Sequence, residues 1–119
     1  MAGYRLTHAS QADIVTILTW SDEQFGEEAR RRYEALIATA IRDAASQVHK
    51  VGRTARPELG DGVFSWHLGL SRTRSPGGIV HRPRHFLICR HEDDVVVVGR
   101  VLHDAMDLRR HVDPPHRWE

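Results

Sequence analysis

Apolar residues in the first half of the chain recur three and four positions apart, the spacing of one face of an α-helix. Ile14, Ile17 and Leu18 carry the pattern over about residues 11–22, and it resumes at Ala29 and runs to Val48. The outer face of the second segment is charged, as a solvated helix surface should be. Because only a short link around residues 25–26 separates the segments, we predict an antiparallel helical hairpin over about 11–48.

The second half of the chain has the shorter, alternating patterns of β-strands. We predict three strands there, with residues 91–94 as a tight connection between the last two: 63–71, 84–90 and 95–103. Tyr4–Thr7 forms a further strand before the first helix, and Ser10 is placed to cap that helix. Residues 52–62 contain Pro57 and three glycines without an apolar period, which is typical of a loop.

The element order is therefore β-α-α-β-β-β, an α+β fold in which a helical hairpin packs on a small antiparallel sheet. The run VVVV at 95–98 is too continuous for an exposed edge, so we expect it under the helices. A chain of 119 residues supports one hydrophobic core. We expect one domain over 1–119, with a helical hairpin at about 11–48, a sheet at about 63–103 and a short C-terminal tail at 104–119.

Composition narrows the class of protein. With 40% hydrophobic and 28% charged residues, the chain has the balance of a globular protein. No apolar run approaches the roughly 20 residues of a membrane span, and MAGYRLTHAS lacks the basic start and apolar centre of a secretory signal. We therefore expect a cytoplasmic location and no membrane partner.

Charge is distributed unevenly, although the net charge is only +1. No acidic residue occurs between Asp61 and Glu92, while the same segment holds five arginines: Arg72, Arg74, Arg82, Arg84 and Arg90. Such a segment can attract an acidic partner or a phosphate backbone, or it can simply solvate exposed strands. The sequence leaves both interpretations open.

Cysteine and histidine offer little evidence for a cofactor. Cys89, the single cysteine, lies among apolar residues in FLIC, which indicates a buried hydrophobe rather than a reactive thiol. His81 and His85 are four apart, but Pro83 interrupts them in a strand or loop, where that spacing does not bring ligands together. We expect neither a metal nor another cofactor.

The end of the last predicted strand carries the most specific motif. The run RVLHDAMDLRRHV at 100–112 resembles the corresponding region of ParE-type toxins, in the RelE/ParE superfamily of type II toxin–antitoxin systems. ADI at 12–14, FGEEARRRY at 25–33 and PRHFLICR at 83–90 stand in the order and spacing that such toxins show. The resemblance covers almost the whole chain, and its fold agrees with the periodicity described above.

This resemblance implies a growth-arresting toxin that a small ParD-like antitoxin holds inactive. ParE-type members bind DNA gyrase, through its A subunit, rather than hydrolysing a substrate, and no direct DNA binding by the toxin alone is expected. The antitoxin is expected to cover apolar surface on the helical hairpin and to bring acidic residues to the arginines. The residues assigned to that contact are Ile14, Leu18, Trp20, Phe25, Tyr33, Arg82, Arg84 and Arg90.

RelE-like relatives instead cut messenger RNA on the ribosome, and that activity is the alternative function. It requires a base, an acid and a cation at the phosphate. Candidates for these roles are Arg72, Arg82, Arg90, His85 and His103. Lys50 is the single lysine, whereas cleaving relatives often use lysine. A third alternative is a domain that keeps the fold but has lost toxicity.

The stretch VLHDAMDLRRH at 101–111 first suggests closure of the sheet by the tail, with Met106 and Leu108 packing back on the core. His103, at the strand end, can cap the tail by hydrogen bonding. Trp and Arg are enriched at binding hot spots, which makes this region a candidate for target contact. The residues assigned to the target are Arg100, His103, Arg109, Arg110, His111 and Trp118.

Overall fold

The computed structural model of the chain describes residues 3–46 and 50–119. Its helices and strands are, in chain order, β1 (Gly3–Leu6), α1 (His8–Phe25), α2 (Glu27–Ala45), β2 (Thr54–Ala55), β3 (Val63–His67), β4 (His85–Glu92), β5 (Val95–His103) and α3 (Leu108–His111). Short 3₁₀ turns occur at Lys50–Gly52, Pro57–Leu59, Leu68–Ser71 and Pro115–Arg117. None of the helices in these two described ranges is long and apolar enough to span a bilayer.

The helical hairpin forms as predicted, but its caps differ from the prediction. Thr7, not Ser10, caps α1: its hydroxyl oxygen accepts the Ser10 N–H at 3.1 Å, and Ser10 is buried within the first turn. The helix therefore starts three residues before the predicted position. Gly26 separates the two helices with a φ of 91°, a conformation that glycine adopts without strain. The α2 helix ends at Ala45, and the predicted end at Val48 lies outside the described residues.

The sheet has five strands in the order β1-β5-β4-β3-β2. The β1 strand is parallel to β5, while every other pair is antiparallel, so the sheet is mixed. Most of the chain lies between β1 and β5, and a connection of that length permits parallel pairing. The α+β class and the helical layer are as predicted; the parallel pair corrects the expectation of a purely antiparallel sheet.

Two strand boundaries also differ from the predictions. The β3 strand ends at His67 rather than residue 71, because the His67 ring accepts the Gly69 N–H and the chain turns into a 3₁₀ helix. The predicted loop 52–62 contains the two-residue β2, which pairs with Phe64 and Ser65. The connection between β4 and β5 is shorter than predicted, because β4 continues to Glu92, while β5 starts at Val95 as predicted.

Each face of the sheet carries its own hydrophobic cluster. The larger cluster lies under the helices and includes Leu36 and Ala40 of α2 with Val96 and Val98 of β5. The smaller one lies on the opposite face, where Leu108, Val112 and Trp118 of the tail pack against it. Val96, Val97 and Val98 are buried, and Val96 and Val98 lie under the helices as predicted, whereas Val95 is only partly buried. A register shift leaves Gly99 without a partner on β4, and this bulge lies beneath the Trp118 ring.

Candidate functional site

A pocket of about 400 Å³ opens where the hairpin meets the loop that leads into β4. Helices α1 and α2 form one wall, and the loop residues from Ile79 to Arg84 form the other. The imidazole rings of His85 and His103 also line it, from the adjacent ends of β4 and β5. The fold thus brings three separate parts of the sequence to one concave surface.

The apolar wall of the pocket is unusually exposed for side chains of its size. Trp20 is 53% exposed, Phe25 67% and Ile79 54%. The Trp20 and Phe25 rings meet edge to face with centroids 5.5 Å apart, which holds both at the rim. Clustered exposed apolar side chains of this kind mark interaction surfaces.

Tyr33 and His85 form the polar part of the pocket. The Tyr33 oxygen accepts the Arg84 N–H at 3.3 Å and lies 2.6 Å from Nδ1 of His85. Since Nδ1 is the one acceptor within reach of the hydroxyl proton in the described residues, we assign that proton to the contact with His85. Burial raises the pKa of Tyr33 to about 12. Burial, with the nearby His103, lowers the pKa of His85 to about 4. Both side chains are therefore neutral at pH 7.

Asp104, just after β5, organises the charged groups beside the pocket. Its carboxylate accepts hydrogen bonds from Nε2 of His67 at 3.0 Å and from Nε of Arg84 at 3.1 Å. These contacts, the His67 bond foremost, lower the pKa of Asp104. The ring of His103 accepts the Ala105 N–H at Nδ1, so it caps the start of the tail as the sequence suggested.

Two arginines at the pocket bring positive charge without compensation. Within the described part of the chain, the side chains of Arg32 and Arg82 make neither a hydrogen bond nor an ion pair. Arg84 differs, because Asp104 already neutralises it at 2.9 Å. The pocket therefore combines an apolar wall with unpaired positive charge.

Most residues assigned to antitoxin contact meet at this pocket. Five of the eight line it: Trp20, Phe25, Tyr33, Arg82 and Arg84. Ile14 and Leu18 instead pack partly buried against the core under the helices. Arg90 lies on the opposite face of the sheet, opposite Val63 and Val97, and its guanidinium donates to the Asp61 carbonyl.

The candidates for RNA cleavage are only partly brought together. His85, His103 and Arg82 line the pocket, and Arg72 lies nearby with its guanidinium on the His81 carbonyl. Arg90 is five residues along β4 from His85, roughly 16 Å at the rise of a strand, and on the other face. The proposed phosphate-binding set is therefore not one site.

The residues assigned to the target fall into three environments. Arg100 is held by an ion pair with Asp13, and His103 belongs to the pocket. Trp118 packs over Gly99 in the smaller hydrophobic cluster, and its indole N–H donates to the Asp113 carbonyl. The remaining three are exposed together on α3: Arg109, Arg110 and His111.

Sequence reasoning missed several residues of the pocket. Arg32 belongs to the charged face of α2 that the sequence assigns to solvent, yet it lines the pocket, seven residues after Phe25. Ile79 follows two glycines and had no periodic pattern around it, although an isolated apolar residue in a polar loop is itself a signal. In the described ranges, no group of three or more His, Cys, Asp or Glu side chains is arranged to hold a metal ion.

Comparisons with known proteins indicate the family to which the chain belongs. The solved structure titled "Chromosomal ParDE TA system from P. aeruginosa" shares the fold, with a TM-score of 0.63 and 17% identity over 87% of this chain and 96% of that one. No curated protein matches the sequence. The sequence profile of the family described as "ParE toxin of type II toxin-antitoxin system, parDE" matches residues 4–108. The chain therefore belongs to the ParE toxin family of type II toxin–antitoxin systems.

Proposed function

We propose that this ParE-family toxin arrests growth by binding the A subunit of DNA gyrase, and that a ParD-like antitoxin neutralises it by docking in the pocket. The observation that carries the docking site is the exposed Trp20, Phe25 and Ile79 beside the unpaired Arg32 and Arg82. The related fold in a structure titled as a ParDE system supports the choice of partner.

Charge and apolar surface together favour one kind of occupant. An apolar helix or extended segment can cover the Trp20 and Phe25 rings, which water otherwise hydrates at a cost in free energy. Acidic side chains on the same segment can pair with Arg32 and Arg82. Removing both groups from water in one contact is typical of a binding hot spot.

The ionisation of the pocket favours inhibition by binding over RNA cleavage. A general base works best with a pKa near the operating pH. His85 has a pKa of about 4 and Tyr33 of about 12, which makes the former a weak base and the latter a weak acid at neutral pH. The RelE-like alternative keeps one supporting observation, since His85, His103 and Arg82 share the pocket.

The surface proposed for gyrase is the exposed part of α3. Arg109, Arg110 and His111 lie there, next to Leu108, which packs on the face of the sheet away from the helices. In this proposal the pocket anchors the antitoxin, and neutralisation requires the rest of the antitoxin chain to block the approach of gyrase to α3. Anchoring of the antitoxin and target binding therefore use separable residues.

The docking site is tested with the product of the open reading frame beside the toxin gene. We expect Trp20→Ala and Arg82→Glu each to weaken toxin–antitoxin binding by at least about 2 kcal/mol, as calorimetry would measure. The matched controls are Val15→Ala, a 66% exposed apolar residue on the same helix outside the pocket lining, and Arg90→Glu on the other face. Equal weakening by the control substitutions would contradict docking at this pocket.

The target is tested with purified toxin added to gyrase, plasmid and ATP, alongside ribosome-bound mRNA. We expect linear DNA to accumulate after detergent and protease treatment while the mRNA stays intact. Arg109→Glu with Arg110→Glu should abolish the linear product and leave antitoxin binding unchanged. Cleaved mRNA with normal gyrase turnover would instead establish the nuclease alternative. Absence of growth arrest when the chain is expressed alone in cells would indicate a domain that has lost toxicity.

A further inference from the structure

The two histidines of the pocket, His85 and His103, carry their ring protons on the same nitrogen, and the docking proposal makes no use of this feature. Their rings meet edge to face with centroids 5.4 Å apart. In each ring Nδ1 is occupied from within the protein: Tyr33 donates to His85, and the Ala105 N–H donates to His103. A neutral imidazole has one N–H, so in both rings the proton lies on Nε2.

Neither Nε2–H has an acceptor within the described part of the chain. The carboxylate of Asp104 accepts from His67 and Arg84 and receives no hydrogen bond from either Nε2. Two of the rings that line the pocket therefore each carry an Nε2–H donor without an acceptor in the described residues, and Arg82 lines the same pocket.

The surroundings of these donors favour an anionic acceptor. Trp20, Phe25 and Ile79 provide apolar surface that lowers the local dielectric once a ligand covers it. Hydrogen bonds from N–H groups to an ionised acceptor are about twice as strong as those to a neutral one. The two imidazole N–H donors and the neighbouring apolar side chains together favour a ligand that carries a negative charge next to an apolar group.

We propose that the imidazole pair of His85 and His103 is a carboxylate-binding subsite, which receives an acidic side chain of the docking segment next to an apolar one. This inference rests on the proposed docking site and adds the chemistry of its occupant. It predicts that an Asp or Glu beside an apolar anchor is required in the antitoxin segment, at a position where Asn or Gln does not substitute.

The subsite is tested without the antitoxin, by NMR titration of the full chain at pH 7.5 with 3-phenylpropanoate, its neutral amide and phenyl phosphate. We expect the carboxylate to bind about tenfold more tightly than the amide. His85→Asn and His103→Asn retain a polar atom at the Nδ1 position and lose the Nε2 donor, so each should reduce that preference. His85→Gln and His103→Gln place an amide N–H near Nε2 and should restore it. Arg90→Gln is the control on the other face.

The outcomes separate this inference from the docking proposal. Equal binding of acid and amide by the unsubstituted chain would overturn the carboxylate subsite and leave the apolar docking site standing. A preference that survives both His→Asn changes but disappears in Arg82→Gln would assign the anion to the guanidinium and overturn the role of the imidazoles. Tighter binding of phenyl phosphate would overturn the inference in favour of a nucleic-acid ligand. Failure of all three probes to bind would overturn the carboxylate subsite, whereas the docking proposal is decided by the antitoxin-binding measurements on Trp20→Ala and Arg82→Glu.

Discussion

The carboxylate of Asp13 on α1 accepts two hydrogen bonds from the guanidinium of Arg100 on β5, Nε to Oδ2 at 2.6 Å and Nη2 to Oδ1 at 2.8 Å. The same carboxylate accepts the Val101 backbone N–H at 2.9 Å. Because β1 ends at Leu6, α1 lies beside the second half of β5, and Asp13 satisfies a strand edge that β1 leaves open. Arg100 also donates to the His111 carbonyl, so the pair joins helix, sheet and tail.

Asp13→Ala should lower the free energy of unfolding by about 2–3 kcal/mol, because it leaves the partly buried Arg100 unpaired. The hydrogen bond that Arg100 donates to Asp13 raises the pKa of Arg100. Without that partner the guanidinium still stays charged, because its ordinary pKa lies far above neutral pH. Chemical denaturation measures the change. The control is Glu92→Ala, which removes the exposed pair with Arg5 and should cost less than about 1 kcal/mol. Equal losses in the two variants would contradict a special role for Asp13.

Gly99→Ala should displace the C-terminal tail. A Cβ at this position would lie 2.7 Å from Cδ2 of Trp118, too close for the ring to remain. We expect a loss of about 1–3 kcal/mol in the free energy of unfolding and faster proteolysis after residue 107. Gly3→Ala is the control, since nothing lies within 4 Å of its Cβ. In a Trp118→Ala background the Gly99 substitution should cost much less; an unchanged cost would place the strain elsewhere.

Acid should destabilise the protein through His85. Its pKa falls from the usual 6.5 to about 4 on folding, so between these values the unfolded chain binds the proton and the folded chain does not. The free energy of unfolding therefore decreases as pH drops from about 6.5 to 4, by roughly 2 kcal/mol for this partly exposed ring. Denaturation of the unsubstituted protein and of His85→Asn, each at pH 7 and pH 4.5, measures the contribution of His85 to this loss of stability. The variant should lose less stability, and an identical loss would exclude His85 as the source.

Cys89 should react with a thiol reagent only when the protein unfolds. Its side chain is fully buried, and burial raises the pKa of its thiol well above the usual range. The native labelling rate with a disulfide reagent should be roughly a hundredfold or more below the rate in denaturant. Since the chain has one cysteine, the signal needs no assignment. Rapid labelling of the native protein would show that β4 opens locally.

The sequence alone determined the parts of this protein that depend on local periodicity. Helical spacing placed Leu36 and Ala40 on the buried face of α2, and the uninterrupted valines identified β5 as an interior strand. Both follow from burial of one face or both faces of a regular element, which the chain encodes residue by residue. The motif at 100–112 indicates the family, and the sequence marks Trp20 and Phe25 as candidates for contact; both side chains are exposed in the structure.

Only the tertiary structure decided which distant residues meet. The parallel pairing of β1 with β5, the pocket between Trp20 and His85, and the separation of Arg90 from Arg82 all depend on strand order and on which face a side chain occupies. One extra residue in a strand, such as the bulge at Gly99, shifts the pairing of the strands and changes which side chains face each other. Spacing along the chain does not contain that information, because contacts between distant segments are fixed by the packing of the whole core.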